Sequence, residues 1–365
     1  MSHAPPRAFD CTIVGASFGG LACAMGLAEA GLPVRVLERK TDPGAKLHTT
    51  GILVRDVVDG VAWLSEMPKE IVRRIDGVRL YAPDMHSVEL RAPGYYFLAT
   101  DTPELMRWMT ERCRRLGATV RLGATYTSAR RDGDGFQIDG FGSTRFLVGA
   151  DGPKSRVARD LGLGENRKFL FGVEHEFDGV DLLEPYLLHC FIDQRLAPGY
   201  IGWIVAGVGI VQIGLARRAS APGAAKDAMA AFIEKVSGVI DVRRRKPLHI
   251  RAGLIPCGGV VRPVAIDRVL LVGDSAGMVS PVTAGGIHTA ITHGQAAGRA
   301  IAVFAKGERD DPSRWFAKSY PQFRAKRTLR WLFDHFQSDL AFNLLLGSSP
   351  MRAAARLVFF HRLRV

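Results

Sequence analysis

Four short segments carry residue types suited to holding a phosphate-bearing cofactor. A pyrophosphate needs a tight turn from strand to helix, backbone that approaches without side chains in the way, and the positive end of a helix dipole. Gly15-Ala16-Ser17-Phe18-Gly19-Gly20 supplies these, with Ser17 where a second glycine is usual and with a hydroxyl that can donate to a phosphate oxygen. Glu38, next to Arg39, stands where an acid accepts hydrogen bonds from ribose hydroxyls. A carboxylate there repels a 2′-phosphate, which favours FAD or NAD over NADP. Gly149-Ala150-Asp151-Gly152-Pro153-Lys154-Ser155 and Val272-Gly273-Asp274-Ser275-Ala276-Gly277 each follow an apolar run and put an aspartate at the edge of a strand, where open α/β sheets bind ligands.

These segments require particular elements behind them. An apolar run at 9–14, a helix closed by Gly31 and a second strand at 34–37 make a βαβ opening. A helix is expected over 103–116, with Gly117 after it and a strand resuming beyond. Asp132-Gly133-Asp134-Gly135 signals a hairpin, and 146–150 and 268–272 read as buried strands. Ser155 is expected to cap a helix. Between 163 and 255 the pattern is β structure interrupted by one helix at 224–236. A small-residue helix follows at about 286–304, and the chain is helical from Ser313, with breaks at Pro321 and at 347–350. The expected fold class is α/β, α+β over the whole chain. It comprises an FAD-binding Rossmann-like domain (1–72, 99–165 and 265–312) interleaved with a β-sheet substrate domain (73–98 and 166–264), and a C-terminal helical segment at 313–365.

With 365 residues, 47% of them hydrophobic and 23% charged, the chain can bury a large core and is not broadly disordered. Its net charge of +13 invites a nucleic-acid reading. Residues 299–365, however, hold 13 Lys and Arg against 5 Asp and Glu, so the excess belongs mostly to the end of the chain and no nucleic-acid partner is expected. The Arg243-Arg244-Arg245-Lys246 run reads as a solvated strand start, since no aromatic residues are interleaved with it. Five cysteines without C-x-x-C spacing, no expected metal, and a start (MSHAPPRAF) without the apolar core of a secretory signal fit a reducing cytoplasm. The uncharged stretch 199–216 has five glycines and many Val and Ile, which favours two strands over a membrane span.

In their order and spacing these motifs resemble the flavoprotein family of para-hydroxybenzoate hydroxylase fold, and within it the geranylgeranyl reductase branch. The resemblance covers nearly the whole chain. It implies FAD as cofactor, with Gly15, Ser17, Phe18, Gly20, Glu38 and Arg39 at its ADP part, Asp151 and Gly152 near the pyrophosphate, and Gly273 and Asp274 at the ribityl chain. Pro281-Val282-Thr283-Ala284-Gly285-Gly286-Ile287 is similar to the branch's run beside the isoalloxazine, which implies Pro281, Gly285, Gly286 and Ile287 as further cofactor contacts. Amides at the following helix start would stabilise negative charge on the reduced ring. The branch's K-x-C-G loop corresponds to Lys46-Leu47-His48-Thr49-Thr50-Gly51, without the cysteine. Its Y-x-W-x-F-P motif is reduced to Tyr200 and Trp203, expected to line the substrate cavity.

The implied reaction is saturation of carbon–carbon double bonds in a prenyl or other lipid-like substrate. Hydride delivery on one face requires a proton source on the other, and His48, Tyr200 and Cys257 are the candidates. No second dinucleotide motif is present, so NAD(P)H would act as a transient reductant. The alternatives are an NAD(P)H-dependent monooxygenase hydroxylating an aromatic or apolar substrate, and a non-catalytic flavin- or lipid-binding protein. The end of the chain mixes Trp315, Phe323, Trp331, Leu332, Phe333 and Phe336 with Lys and Arg, and 353–364 repeats the mixture. This composition suits peripheral contact with the inner face of an anionic membrane, and equally suits helices packed across the catalytic domain.

Overall fold

In the computed structural model, residues 9–360 are described; the MSHAPPRA start and the last basic residues, Arg362 and Arg364, lie outside them, as do the side chains of Leu332, Phe333 and Phe336. The first strand, Phe9–Val14, is buried from Cys11 to Val14 because it lies at the centre of an eight-stranded sheet. Val34–Glu38 and Gly142–Gly149 flank it in parallel, and Thr119–Leu122 and Val269–Leu271 extend the sheet on either side. The expected hairpin closes at Asp132-Gly133-Asp134-Gly135 between Ala129–Asp132 and Gly135–Ile138.

The cover is a seven-stranded sheet, antiparallel apart from one pair, that includes Phe169–Phe177, Leu187–Phe191, Gly202–Ala206, Val211–Arg218 and His249–Pro256. The glycine-rich stretch read as two strands is the Gly202–Ala206 and Val211–Arg218 hairpin. A small three-stranded sheet of Ile52–Val54, Val72–Ile75 and Phe97–Thr100 lies between the layers in chain order. The chain leaves the first sheet after Glu38 and again after Gly149, and returns each time. Two expectations are corrected. The 243–246 run is no strand start: it forms an exposed turn in which Arg243 pairs with Asp241, and the strand begins at His249. The strand expected at 146–150 starts earlier, at Gly142, because it also closes the hairpin.

Register brings the sequence motifs together. Val14 pairs with Gly149, and Gly149 with Leu271, so three adjacent parallel strands end at one level and each is followed at once by a motif. The neighbouring strand pairs Leu37 with Val14, which puts Glu38 on the same edge.

The helix after the first motif, Phe18–Ala28, is buried from Phe18 to Leu27 and contains three glycines, so tertiary packing rather than propensity holds it. It crosses the Ile287–Ala305 helix backbone to backbone. A Cβ at Gly294 would lie 2.3 Å from the Gly19 carbonyl oxygen, one at Gly298 2.3 Å from that of Cys23, and one at Gly26 2.7 Å from that of Gln295. No flexible side chain can give way at these points. Gly298→Val is therefore expected to lower stability by about 1–3 kcal/mol through overpacking. Thermal unfolding checks it: a lower melting temperature with FAD added and without it is the expected result, and an unchanged one contradicts the crossing.

Candidate functional site

The glycine turn begins at Gly15, whose φ of +104 suits glycine and whose Cβ would lie 2.3 Å from the Ala150 carbonyl oxygen. Ser17 caps the helix, its hydroxyl oxygen accepting from the Gly20 amide at 3.3 Å. Phe18 is buried in the core beneath the turn. Glu38, 6% exposed, accepts from the Ala16 amide at 2.8 Å through one carboxylate oxygen and from the Lys40 amide at 2.9 Å through the other. It thus ties the turn to the neighbouring strand and keeps lone pairs for a ribose. Arg39 is exposed.

Asp151 accepts from the Ser155 hydroxyl at 2.6 Å and from the amides of Arg156 and Val157 at 2.7 and 3.1 Å. Its carboxylate therefore holds the start of the short Arg156–Asp160 helix, and Ser155 caps that helix as expected, accepting from the Ala158 amide. Asp274 is different. Among the described residues no hydrogen-bond donor reaches its carboxylate, and burial pushes its pKa up to about 6. It is half-buried and faces Gly286, where a Cβ would lie 3.5 Å from its Oδ1. A half-enclosed acid without a donor fits a ligand that brings hydroxyl groups, and the bare turn at Gly15 fits a pyrophosphate. The residues present therefore suit a flavin dinucleotide along the edge where the three strands end. Gly285 and Gly286 precede the 19-residue Ile287–Ala305 helix, and Pro281 is buried at the start of the same loop.

Opposite this edge, the cover presents an apolar cluster. Leu170, Tyr200 and Ala216 are buried together, with Ile255, Cys257 and Ala284 packed against them. Tyr200 donates its phenolic hydrogen to the Thr283 carbonyl and so clips the 281–286 loop to the cover. Burial raises the pKa of Tyr200 and of the Cys257 thiol, so both keep their protons and neither is a ready acid. Trp203 lies over Gly214, where a Cβ would come within 2.3 Å of its ring. His48 is exposed, on a loop that rests against the cover at Gly253, where a Cβ would lie 2.8 Å from the His48 Cβ. Tyr200, Cys257 and Trp203 therefore share one wall, and His48 sits at its rim.

The sequence reading missed the polar half of that wall. Glu174, Glu176, Gln212 and Arg251 project between the cover and the 46–51 loop. Glu174 is 4% and Glu176 2% exposed. The signal was there, since two acids spaced by two in FLFGVEHEF face the same side of a strand that is mostly apolar. His293, by contrast, is held between Phe316 and Tyr320 at ring-centroid distances of 4.6 and 4.1 Å and pushed down to about 4 by burial, which is a packing role.

A family model described as an FAD binding domain matches residues 8–330. Digeranylgeranylglycerophospholipid reductase 2 of Methanopyrus kandleri is 31% identical over 328 residues, covering 86% of this chain and 81% of the relative. Digeranylgeranylglycerophospholipid reductase 3 of Methanosphaera stadtmanae is 29% identical over 321 residues, covering 81% and 78%. Among solved structures, a geranylgeranyl bacteriochlorophyll reductase-like protein of Thermoplasma acidophilum superposes with a TM-score of 0.83 over 98% of each chain at 16% identity, a likeness of fold. This chain therefore belongs to the geranylgeranyl reductase family of FAD-dependent oxidoreductases.

Proposed function

We propose that this protein reduces carbon–carbon double bonds in the prenyl chain of a lipid-like substrate. The observation that carries the reading is the apolar cluster around Leu170, Tyr200 and Cys257, set against the loop that follows Asp274. A hydrocarbon chain needs such a surface and gains from it roughly 25 cal/mol per Å² buried. The relatives' names, reductases of a geranylgeranylated phospholipid, agree with it.

In this reading residues 1–72, 99–165 and 265–312 hold the cofactor, and 73–98 and 166–264 hold the substrate. Gly15, Ser17, Phe18, Gly20, Glu38 and Arg39 take the adenosine diphosphate end; Asp151, Gly152, Gly273 and Asp274 the middle; Pro281, Gly285, Gly286 and Ile287 the ring. Bound and reduced, FAD supplies a hydride, with NAD(P)H as its transient reductant. The chain's part is to orient the substrate along Tyr200 and Trp203 and to keep water from the reacting bond. It must also provide the proton. Buried Tyr200 and half-buried Cys257 are weak acids, so His48 at the rim is the better placed of the three candidates.

The C-terminal helices support membrane contact. Parts of them pack onto the cover: Leu346 and Phe360 are buried there, and Asp334 pairs with Arg218 of the cover. Leu344 is 73% and Leu340 68% exposed on the Asp339–Leu345 helix, and the helices before and after it carry exposed Arg324, Arg327, Arg352 and Arg356. Apolar side chains with basic neighbours match an anionic bilayer surface, from which a lipid substrate would be drawn. Among the described residues no helix is long and apolar enough to cross a membrane.

Two measurements test these statements. With the flavin reduced chemically under anaerobic conditions, a geranylgeranyl phospholipid is expected to restore the oxidised flavin spectrum; reoxidation only when oxygen is admitted together with a small aromatic compound would favour a hydroxylase instead. In co-sedimentation with phosphatidylglycerol-containing vesicles, the protein is expected to bind, to release at high salt and to bind less as Leu344→Glu. Equal partitioning with purely zwitterionic vesicles and no effect of Leu344→Glu would contradict the membrane contact.

A further inference from the structure

The polar half of the cover wall has one carboxylate more than it has cations. Arg251 pairs with Glu176 at 2.5 Å and donates to the Thr49 carbonyl at 2.9 Å. Glu174 is left with neutral partners: its Oε2 accepts from the Thr50 hydroxyl at 2.5 Å and from the Trp203 indole at 2.9 Å, and its Oε1 from the Gln212 amide at 3.3 Å. Gln212 also donates to the Thr50 carbonyl at 3.2 Å. One buried carboxylate thus joins the loop beside the apolar cluster to the indole that lines it. A buried acid without its own counter-ion is a costly way to fasten a loop, and an apolar contact would serve stability better.

We propose that Glu174 is a positioning residue for the reduction, fixing Thr50 and Trp203 against each other so that loop and indole together bound the substrate space. This rests on the reductase reading above. The partners give the carboxyl a specific role. Trp203 can only donate to it and Gln212 donates through its amide nitrogen, whereas a threonine hydroxyl can donate or accept. When Glu174 is ionised, Thr50 spends its hydrogen on the carboxylate. When Glu174 is protonated, the acid donates to Thr50 and releases the hydroxyl hydrogen toward another acceptor. The charged groups facing Glu174 are Arg251 and Glu176 on the cover; His48 lies on the packed loop, and the strands bearing Trp203 and Gln212 add none from those positions.

Burial, the largest influence, raises the pKa of Glu174, against the lowering effect of Thr50, Trp203 and Arg251. The sign for stability follows. The folded state holds this proton more tightly than the unfolded one, so the associated stability is fully present below the ordinary carboxylate range and is lost as pH rises through the folded value. Above the folded value, ionised Glu174 weakens the fold. Glu174→Gln keeps the shape and an acceptor for Thr50 and Trp203, removes the charge, and should not melt earlier than wild type. A residue that served structure alone would.

The test compares flavin-loaded wild type, Glu174→Gln and Thr50→Val. Expected for Glu174→Gln are unchanged FAD content, a melting temperature at mildly alkaline pH at or above that of wild type, KM for a geranylgeranyl phospholipid unchanged within about twofold, and kcat lower by roughly ten- to a hundredfold with its pH dependence flattened. Thr50→Val should show the same split. A kcat equal to wild type, or a fall in melting temperature with loss of FAD, overturns the proposal. Should wild type itself leave the flavin reduced with every polyprenyl lipid, the reductase reading falls, and amide hydrogen exchange at residues 49–51 decides the positioning role. Faster exchange in Glu174→Gln without a lower melting temperature supports it, and unchanged exchange overturns it.

Discussion

Where the Phe18–Ala28 and Ile287–Ala305 helices cross, carbonyl oxygens of one come within reach of the α-carbons of the other, and only glycine at 294 and 298 permits it. Each helix begins at a loop proposed to hold the cofactor, one at the glycine turn after the first strand and the other at the run after Asp274. The crossing therefore fixes the distance between two loops separated by some two-thirds of the chain. Sheet register fixes the rest, since Val14, Gly149 and Leu271 are aligned neighbours. A long ligand laid along that edge meets a backbone whose parts cannot drift relative to one another.

The cover is held differently. Its contacts with the nucleotide-binding layer include two clips, the Tyr200 hydroxyl on the 281–286 loop and the Glu174, Gln212 and Arg251 group on the 46–51 loop. Between the clips the wall is carbon. Directional bonds at the rim and dispersion in the middle suit a site that must fix its walls yet accept a chain with few polar handles.

Much of the cofactor layer was legible in the sequence because local rules dictate it. Gly15 must adopt a positive φ, Ser155 caps a helix, and Asp132-Gly133-Asp134-Gly135 turns a hairpin, each readable from a few residues. The glycines at 294 and 298 looked like ordinary small residues in a helix, since their purpose is a contact with residues hundreds of positions earlier. The small three-stranded sheet was missed because its strands are three or four residues long and pair across distant parts of the chain. The polar wall escaped for a related reason. Glu174 and Glu176 alternate correctly for one face of a strand, but only the fold reveals that this face is buried and that Thr50 and Arg251 await them.

What the protein does to a double bond is read most directly from the mass of the product. After anaerobic turnover of a geranylgeranyl phospholipid with a chemical reductant and the flavin-loaded protein, mass spectrometry should show the lipid heavier by two hydrogen atoms for each bond reduced, with no gain when the protein is omitted. A product heavier by one oxygen atom, formed only in air, or a lipid recovered unchanged beside a fully reduced flavin, would contradict it.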